Sequence, residues 1–248
     1  GAKVILTVDC GIRSPKEARV ARKLGVDLII TDHHYPKGDL PSAYAVVCPK
    51  QENDLYPYKD LAGVGVAFKI AQGLFIKSGK DVRKADDWLD LVALGTVADI
   101  LPLTGENRVM VKQGLKRMQL GYREGLNALA GVAGKNILTV NASDIGFILG
   151  PRLNAAGRME SALQAYNLLV SRSLSDAGRY AQILENQNAE RRKATLAAQE
   201  KAQLDVKDLD AAYLITAFDK GFSSGIVGLV ASKLVEKFHR PAIVGEIS

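Results

Sequence analysis

The sequence predicts an α/β fold: a mainly parallel sheet with helices on its faces, then a long connecting helix, then the start of a second α/β unit. Three stretches carry that expectation. Residues 3 to 31 read as strand, helix, strand; residues 175 to 206 form a charged, proline-free run; and two strand-like runs flank a helical one between residues 211 and 246.

The first strand is "KVILTVD", residues 3 to 9, rich in β-branched residues and expected to be buried. "SPKEARVARKLG" follows with several helix signals: Ser14 to cap, Pro15 at the first helical position, Glu17 to complete a capping box and Gly25 to stop the helix. "VDLIIT", residues 26 to 31, is the second buried strand. This spacing defines a βαβ unit, whose parallel strands end on the same edge of the sheet. Asp9 follows the first strand, and Asp32, His33 and His34 follow the second. Ligands of open α/β sheets bind at that edge.

Further along, Gly63 and Gly65 in "LAGVGVAFKIAQ" lack the strand and the third glycine of a dinucleotide loop, which leaves close helix packing or a helix N-terminus near phosphate. In "DWLDLVALGTVADILPL" a helical run through Leu89, Leu91, Val92 and Leu94 is expected to give way at Gly95 to a segment ending in Asp99. Read alone, Asp99 fits a helix end or a loop as well as a ligand. "GPRLNAAGRM" is expected to form a Gly/Ala-rich turn before a helix, with Arg152, Asn154 and Arg158 as phosphate-facing groups or as surface residues of a turn. The run from 175 to 206 has little apolar surface and is expected to be a solvent-facing connector, with "ERRK" at 190 to 193 as a solvated face. "AAYLITA" and "HRPAIVGE" are the last two strands, flanking "SGIVGLVASKLVEKF". Ser223, Ser224 and Gly225 before that helix suit a phosphate-receptive N-terminus, and His239 reads as a strand-edge or surface residue.

Composition narrows the class. The chain has 248 residues, 47% hydrophobic and 24% charged, and no apolar stretch near the roughly 18–20 residues of a membrane span. A net charge of +6 accommodates a polyanionic partner without requiring one. Cys10 and Cys48 show neither a disulfide framework nor a CxxC, so a cytoplasmic protein is expected.

Two acids and two imidazoles on one sheet edge call for a charged partner, since burying them unpaired is costly. Mixed Asp/His donors suit Mn²⁺ or Mg²⁺, and a pair of such ions clamps the attacking and leaving oxygens of a phosphoryl group. The chemistry expected is therefore phosphoester hydrolysis. Zinc fits less well, because the cysteines lack ligand-pair spacing.

Taken in order, "VDCG" at 8 to 11, "TDHH" at 31 to 34, "LAGVGVAFKIAQ" at 61 to 72, "LGTVADILPL" at 94 to 103 and "LGPRLNAAGRM" at 149 to 159 resemble the DHH phosphoesterase superfamily, and within it the RecJ-type single-strand-specific exonucleases. The resemblance covers nearly the whole chain. It implies that Asp9 bridges two metal ions, that His33 and Asp99 complete the shell of one of them, that His34 lies beside the scissile phosphate, and that Asp32 fixes an imidazole. It also implies that Arg152, Asn154 and Arg158 line the route to the metals. It implies a DHH domain over residues 1–172, a connecting helix over 173–207 and the beginning of a DHHA1-like domain over 208–248. There the family has a Trp-His pair where this chain has Phe222 and Ser223.

The expected activity is 5′-to-3′ exonuclease action on single-stranded DNA in recombination and repair, with a single-strand-binding protein or a helicase as candidate partners. The family's first aspartate motif and its later Gly-rich elements have no counterpart here, so the chain is expected to be a fragment, inactive or weak on its own. A nanoRNase or nucleotide phosphatase of the same superfamily is the alternative enzyme; a degenerate scaffold without catalysis is the alternative of another class.

Overall fold

A computed structural model describes residues 1–159, 161–204 and 213–247, apart from the side chains of Arg158 and Met159. In chain order the elements are β1 (Val4–Val8), α1 (Pro15–Lys23), β2 (Asp27–Thr31), β3 (Ala45–Val47), α2 (Gly63–Lys77), a 3₁₀ segment (Val82–Trp88), α3 (Leu89–Ala98), α4 (Gly105–Met118), α5 (Glu124–Val132), a 3₁₀ turn (Ile137–Thr139), the one-turn α6 (Ala142–Asp144), a π-helical turn (Ile145–Leu149), α7 (Gly150–Met159), α8 (Leu163–Val170), α9 (Leu174–Leu204), β4 (Ile215–Asp219), α10 (Val227–Phe238) and β5 (Ala242–Glu246). The architecture is α/β with parallel sheets. Among the described residues, no helix is long and apolar enough to cross a membrane.

The chain divides into two compact units. The first comprises residues 1–123 and 135–150. Its sheet runs β1-β2-β3, all parallel, with Val4 opposite Asp27 and Val8 opposite Thr31. Ala18 and Ala21 of α1 pack on Leu28 and Ile30 of β2. Ile30 is fully buried, as expected for a central strand. β1 departs from expectation: Val4, Ile5, Leu6 and Val8 are exposed. Among the described residues it is an edge strand with one neighbour, and a β-branched run alone does not distinguish an edge from a centre. β3 is only three residues long, too short to show a periodicity.

Helix α1 begins at Pro15 as expected, yet Ser14 makes no side-chain cap and the capping box does not form. Gly25, at φ +66°, turns the chain out of the helix. Helix α3 runs straight through Gly95 and ends at Asp99, its C-cap, rather than giving way at Gly95. A Cβ on Gly95 would come 2.8 Å from Val64 Cγ1, so this glycine serves the close approach of α2 and α3. Helix α4 packs as tightly on α3, since a Cβ on Gly114 would lie 2.1 Å from the Leu89 carbonyl oxygen.

The second unit comprises residues 124–134 and 151–248. Here "GPRLNAAGRM" is the helix α7 itself, not a turn preceding one. Gly150 already has helical dihedrals at the end of the π-helical turn, Pro151 needs no amide partner in a first turn, and the leucine and alanines are strong helix formers. Helix α9 also departs from the solvent-facing expectation. Ala177, Ala181 and Leu184 are buried where α9 meets α5 and α8. Ala198 and Ala202 join Ile215, Ala217, Phe222, Ile226, Val230 and Leu234 in the core formed with β4, α10 and β5. Alanine buries little area, so its stripe is faint in a hydropathy pattern while still allowing helices to approach closely. Phe222, where the family has a Trp-His pair, is a core side chain.

Candidate metal centre

The parallel pairing of β1 with β2 puts Asp9 beside the residues that follow Thr31. The Asp9 amide donates to the Thr31 carbonyl at 3.0 Å, and the Asp32 amide donates to the Val47 carbonyl at 3.0 Å. Past that point the chain turns sharply. Asp9 itself adopts φ +64°, an uncommon conformation for a non-glycine residue. Gly11, at φ +111°, has no room for a Cβ, which would meet Thr7 Oγ1 at 2.9 Å. That turn aims the Ile12 amide at Asp32.

Asp32 is almost wholly buried and anchors the site. Its Oδ2 accepts from the Ile12 amide at 3.0 Å; its Oδ1 accepts from the His33 amide at 2.7 Å and the His34 amide at 3.2 Å, and meets His34 Nδ1 at 2.7 Å. Burial pushes the Asp32 carboxyl up, but the Ile12 amide, the His34 ring and the neighbouring amides outweigh it and hold it below the usual carboxylate range. The ring that Asp32 fixes is therefore that of His34, whose Nδ1 carries the proton and whose half-exposed edge stays open.

The His33 ring lies 4.3 Å from that of His34, centroid to centroid, and meets different carboxylates. Its Nε2 lies 2.9 Å from Asp9 Oδ1 and 3.4 Å from Asp99 Oδ2. Neither approach has hydrogen-bond geometry, and both ring nitrogens of this buried residue are without a hydrogen-bond partner. Ligand atoms of Asp9, His33 and His34 all lie within 4.8 Å of one another, and Asp99 reaches the group through His33. Burial raises the Asp99 carboxyl above its ordinary value, and the Asp9 charge adds to the effect. Two carboxylates converging on an orphaned imidazole nitrogen suit a hard or borderline divalent cation. Cys10 and Cys48 are free thiols outside this group, and Cys48 Sγ contacts the His34 carbonyl at 3.4 Å.

One contributor is only half visible in the sequence. A Cβ on Gly63 would fall 2.4 Å from Asp9 Oδ1, so the first residue of α2 abuts the Asp9 carboxylate. Gly63 is the first residue of α2, at the helix N-terminus, and its close neighbour there is the Asp9 carboxylate.

The remaining expected site residues belong to the second unit. Arg152 forms an ion pair with Glu185 of α9, and Asn154 is exposed on α7. The Arg158 side chain lies outside the described residues. Ser223 and Ser224 are exposed, and the Ser223 carbonyl accepts from the Ile226 and Val227 amides at the entry to α10. His239 is the C-cap of α10, left-handed at φ 51°, which makes it an exposed helix end and not a strand edge.

A family model described as the DHH family, N-terminal domain, matches residues 3–96. The matched segment carries Asp9, Asp32, His33 and His34. The relatives and solved structures to which the chain is similar are RecJ exonucleases. It is 44% identical to the single-stranded-DNA-specific exonuclease RecJ of Bacillus subtilis over 98% of this chain and 30% of that protein, and 38% identical to RecJ of Escherichia coli over 98% of this chain and 45% of that one. Among solved structures, exonuclease RecJ bound to manganese superposes with TM-score 0.87 at 34% identity, covering 98% of this chain and 61% of the other. RecJ in complex with Mn²⁺ from Thermus thermophilus superposes with TM-score 0.89 at 34% identity, covering 98% and 36%. The chain thus spans less than half the length of these curated relatives.

Proposed function

We propose that the chain supplies Asp9, His33 and Asp99 to a Mn²⁺ or Mg²⁺ centre of a metal-dependent phosphodiesterase acting 5′-to-3′ on single-stranded DNA in recombination and repair. The observation that carries this reading is the buried His33 Nε2 held between two carboxylates without a hydrogen bond. The manganese and magnesium complexes of the RecJ neighbours support the choice of cation. Because the relatives are more than twice as long, the exonuclease activity is proposed for a protein of their length and not for this chain taken alone.

When bound, the cations would lower the pKa of a coordinated water and offset the charge of the phosphodiester. The chain's own groups do the rest. Asp32 stays ionised and keeps the proton on His34 Nδ1, so the ring presents its other edge to the phosphate in a fixed orientation. Asp9 and Asp99 would offer carboxylate oxygens to the cation beside His33 Nε2, and Gly63 leaves room for the Asp9 carboxylate.

In this reading residues 1–172 form the catalytic domain, 173–207 the connecting helix and 208–248 part of a DHHA1-like domain; residues 160, 205–212 and 248 among these lie outside the described residues. Arg152, Asn154, Arg158, Ser223 and Ser224 contact the strand. The free cysteines go with a cytoplasmic location, and a single-strand-binding protein or a helicase would be the partners. The test is manganese-dependent digestion of 5′-labelled single and double strands by the protein carrying this chain, with Asp9→Ala as the comparison. Preferential release of nucleotides from the single strand, abolished in the variant, supports the proposal; equal activity in the variant removes Asp9 from the mechanism.

A further inference from the structure

The residue after His34 has no part in the centre just described, yet its surroundings are unusual for a surface tyrosine. The Tyr35 side chain is 65% exposed. Lys50 Nζ lies 4.7 Å from the centroid of its ring, a cation–π distance. The Lys50 side chain is itself only 11% exposed, with Asp60 Oδ1 3.9 Å from its ammonium. The Tyr35 backbone is tied down as well, its carbonyl accepting from Arg13 Nε at 2.8 Å. A buried cation therefore occupies one side of the ring, and the exposed area belongs to the other. Tyr35 directly follows His34, and Lys50 lies two residues after Cys48, whose thiol donates to the His34 carbonyl at 3.4 Å, so the ring and the ammonium both sit beside the acid-imidazole centre.

We propose that Tyr35, backed by Lys50, is a stacking platform for a nucleobase next to the phosphate held at the Asp9–His33 centre. The proposal deepens the phosphodiesterase reading and rests on it. Every base has a π-face, so an aromatic ring presented this way grips a strand without choosing its sequence. A lysine beneath the ring adds cation–π attraction and a positive field toward the strand's phosphates. The platform also favours single strands, because a base paired and stacked in a duplex has no free face to offer.

Fluorescence anisotropy on the full chain tests this with two labelled strands of equal length, oligothymidylate and the same backbone with abasic residues. The expected result is that Tyr35→Ala weakens oligothymidylate binding by about 5- to 150-fold, the range of base–aromatic stacking. Binding of the abasic strand should stay within about twofold, and Tyr35→Trp should retain the preference for bases. Thermal melting of both variants checks the fold; Tyr35 is exposed, so neither should shift. Unchanged oligothymidylate affinity in Tyr35→Ala, an equal loss on both strands, or a wild-type chain indifferent to bases would each overturn the platform. The phosphodiesterase reading is decided separately by manganese-dependent cleavage in wild type and Asp9→Ala, so cleavage without a base preference sinks the platform alone.

Discussion

Replacing Gly63 with alanine isolates the link between helix packing and the metal centre. The added Cβ would lie 2.4 Å from Asp9 Oδ1, 2.6 Å from Asp9 Cγ and 2.7 Å from Asp9 Cβ. Ordinary contact begins near 3.4 Å, so the carboxylate must retreat by about 1 Å. The Asp9 side chain is 58% exposed, so its carboxylate can swing into solvent, while the contact with Asp9 Cβ is relieved by a small backbone shift. Overpacking typically costs about 1–3 kcal/mol, and replacing a helical glycine by alanine returns about 0.5–1 kcal/mol. The net destabilisation is therefore about 0–2.5 kcal/mol, whereas an Asp9 carboxylate displaced by about 1 Å would no longer reach a cation bound at His33. Manganese affinity should fall by at least the roughly 10- to 100-fold seen when groups supporting a metal ligand are removed. Gly73→Ala, in the same helix with nothing within 4 Å of the new Cβ, is the control and should gain about 0.5–1 kcal/mol with no change in metal binding. The assay is Mn²⁺ titration by calorimetry or paramagnetic resonance alongside thermal melting. Wild-type affinity in a folded Gly63→Ala chain would refute the reasoning.

Further perturbations give distinct outcomes. Asp32→Asn should reduce manganese-dependent cleavage by about 10- to 100-fold in the protein carrying this chain, with manganese affinity nearly unchanged, because a neutral amide oxygen holds the His34 ring less firmly than the carboxylate does. The same variant tests pH dependence. The folded-state pKa of Asp32 is depressed, so its stabilisation is present above the ordinary carboxylate value near 3.8 and is lost as pH falls through the folded value; acid unfolding monitored by circular dichroism should be less steep in the variant over that window. Ile100, a β-branched residue at φ +58° directly after Asp99, is strained, and Ile100→Gly should raise stability by about 0.5–1 kcal/mol in chemical denaturation. Gly114→Ala should lose about 3 kcal/mol or more, since the Cβ would meet the Leu89 carbonyl oxygen at 2.1 Å and backbone cannot yield as a side chain does.

The parts of the fold written in strong periodicity are legible in the sequence. The βαβ spacing alone delivers Asp9 and the Asp32-His33-His34 run to one edge, and the structure finds the Asp9 carboxylate and the His33 ring 2.9 Å apart. Asp99 is different, because nothing local separates a ligand from a helix C-cap, and it is both the cap of α3 and a neighbour of His33. Long-range consequences are less visible. The exposure of β1 depends on which strands flank it; the helix at 150–159 depends on the π-helical turn that feeds it; and the burial of Ala198 and Ala202 depends on α10. The capping signal at Ser14 fails because the turn forced by Gly11 places the Ser14 backbone at ψ 57°, outside the usual cap conformation. Tyr35 and Lys50 are fifteen residues apart in the sequence, and only the β2–β3 crossover brings the ammonium over the ring.

Locating manganese in crystals of the chain by its anomalous scattering tests the central claim most directly. The account predicts a peak within about 2.0–2.4 Å of an Asp9 carboxylate oxygen and of His33 Nε2, with Asp99 drawn toward it. Manganese bound elsewhere on the chain, with Asp9 and His33 left bare, would contradict it.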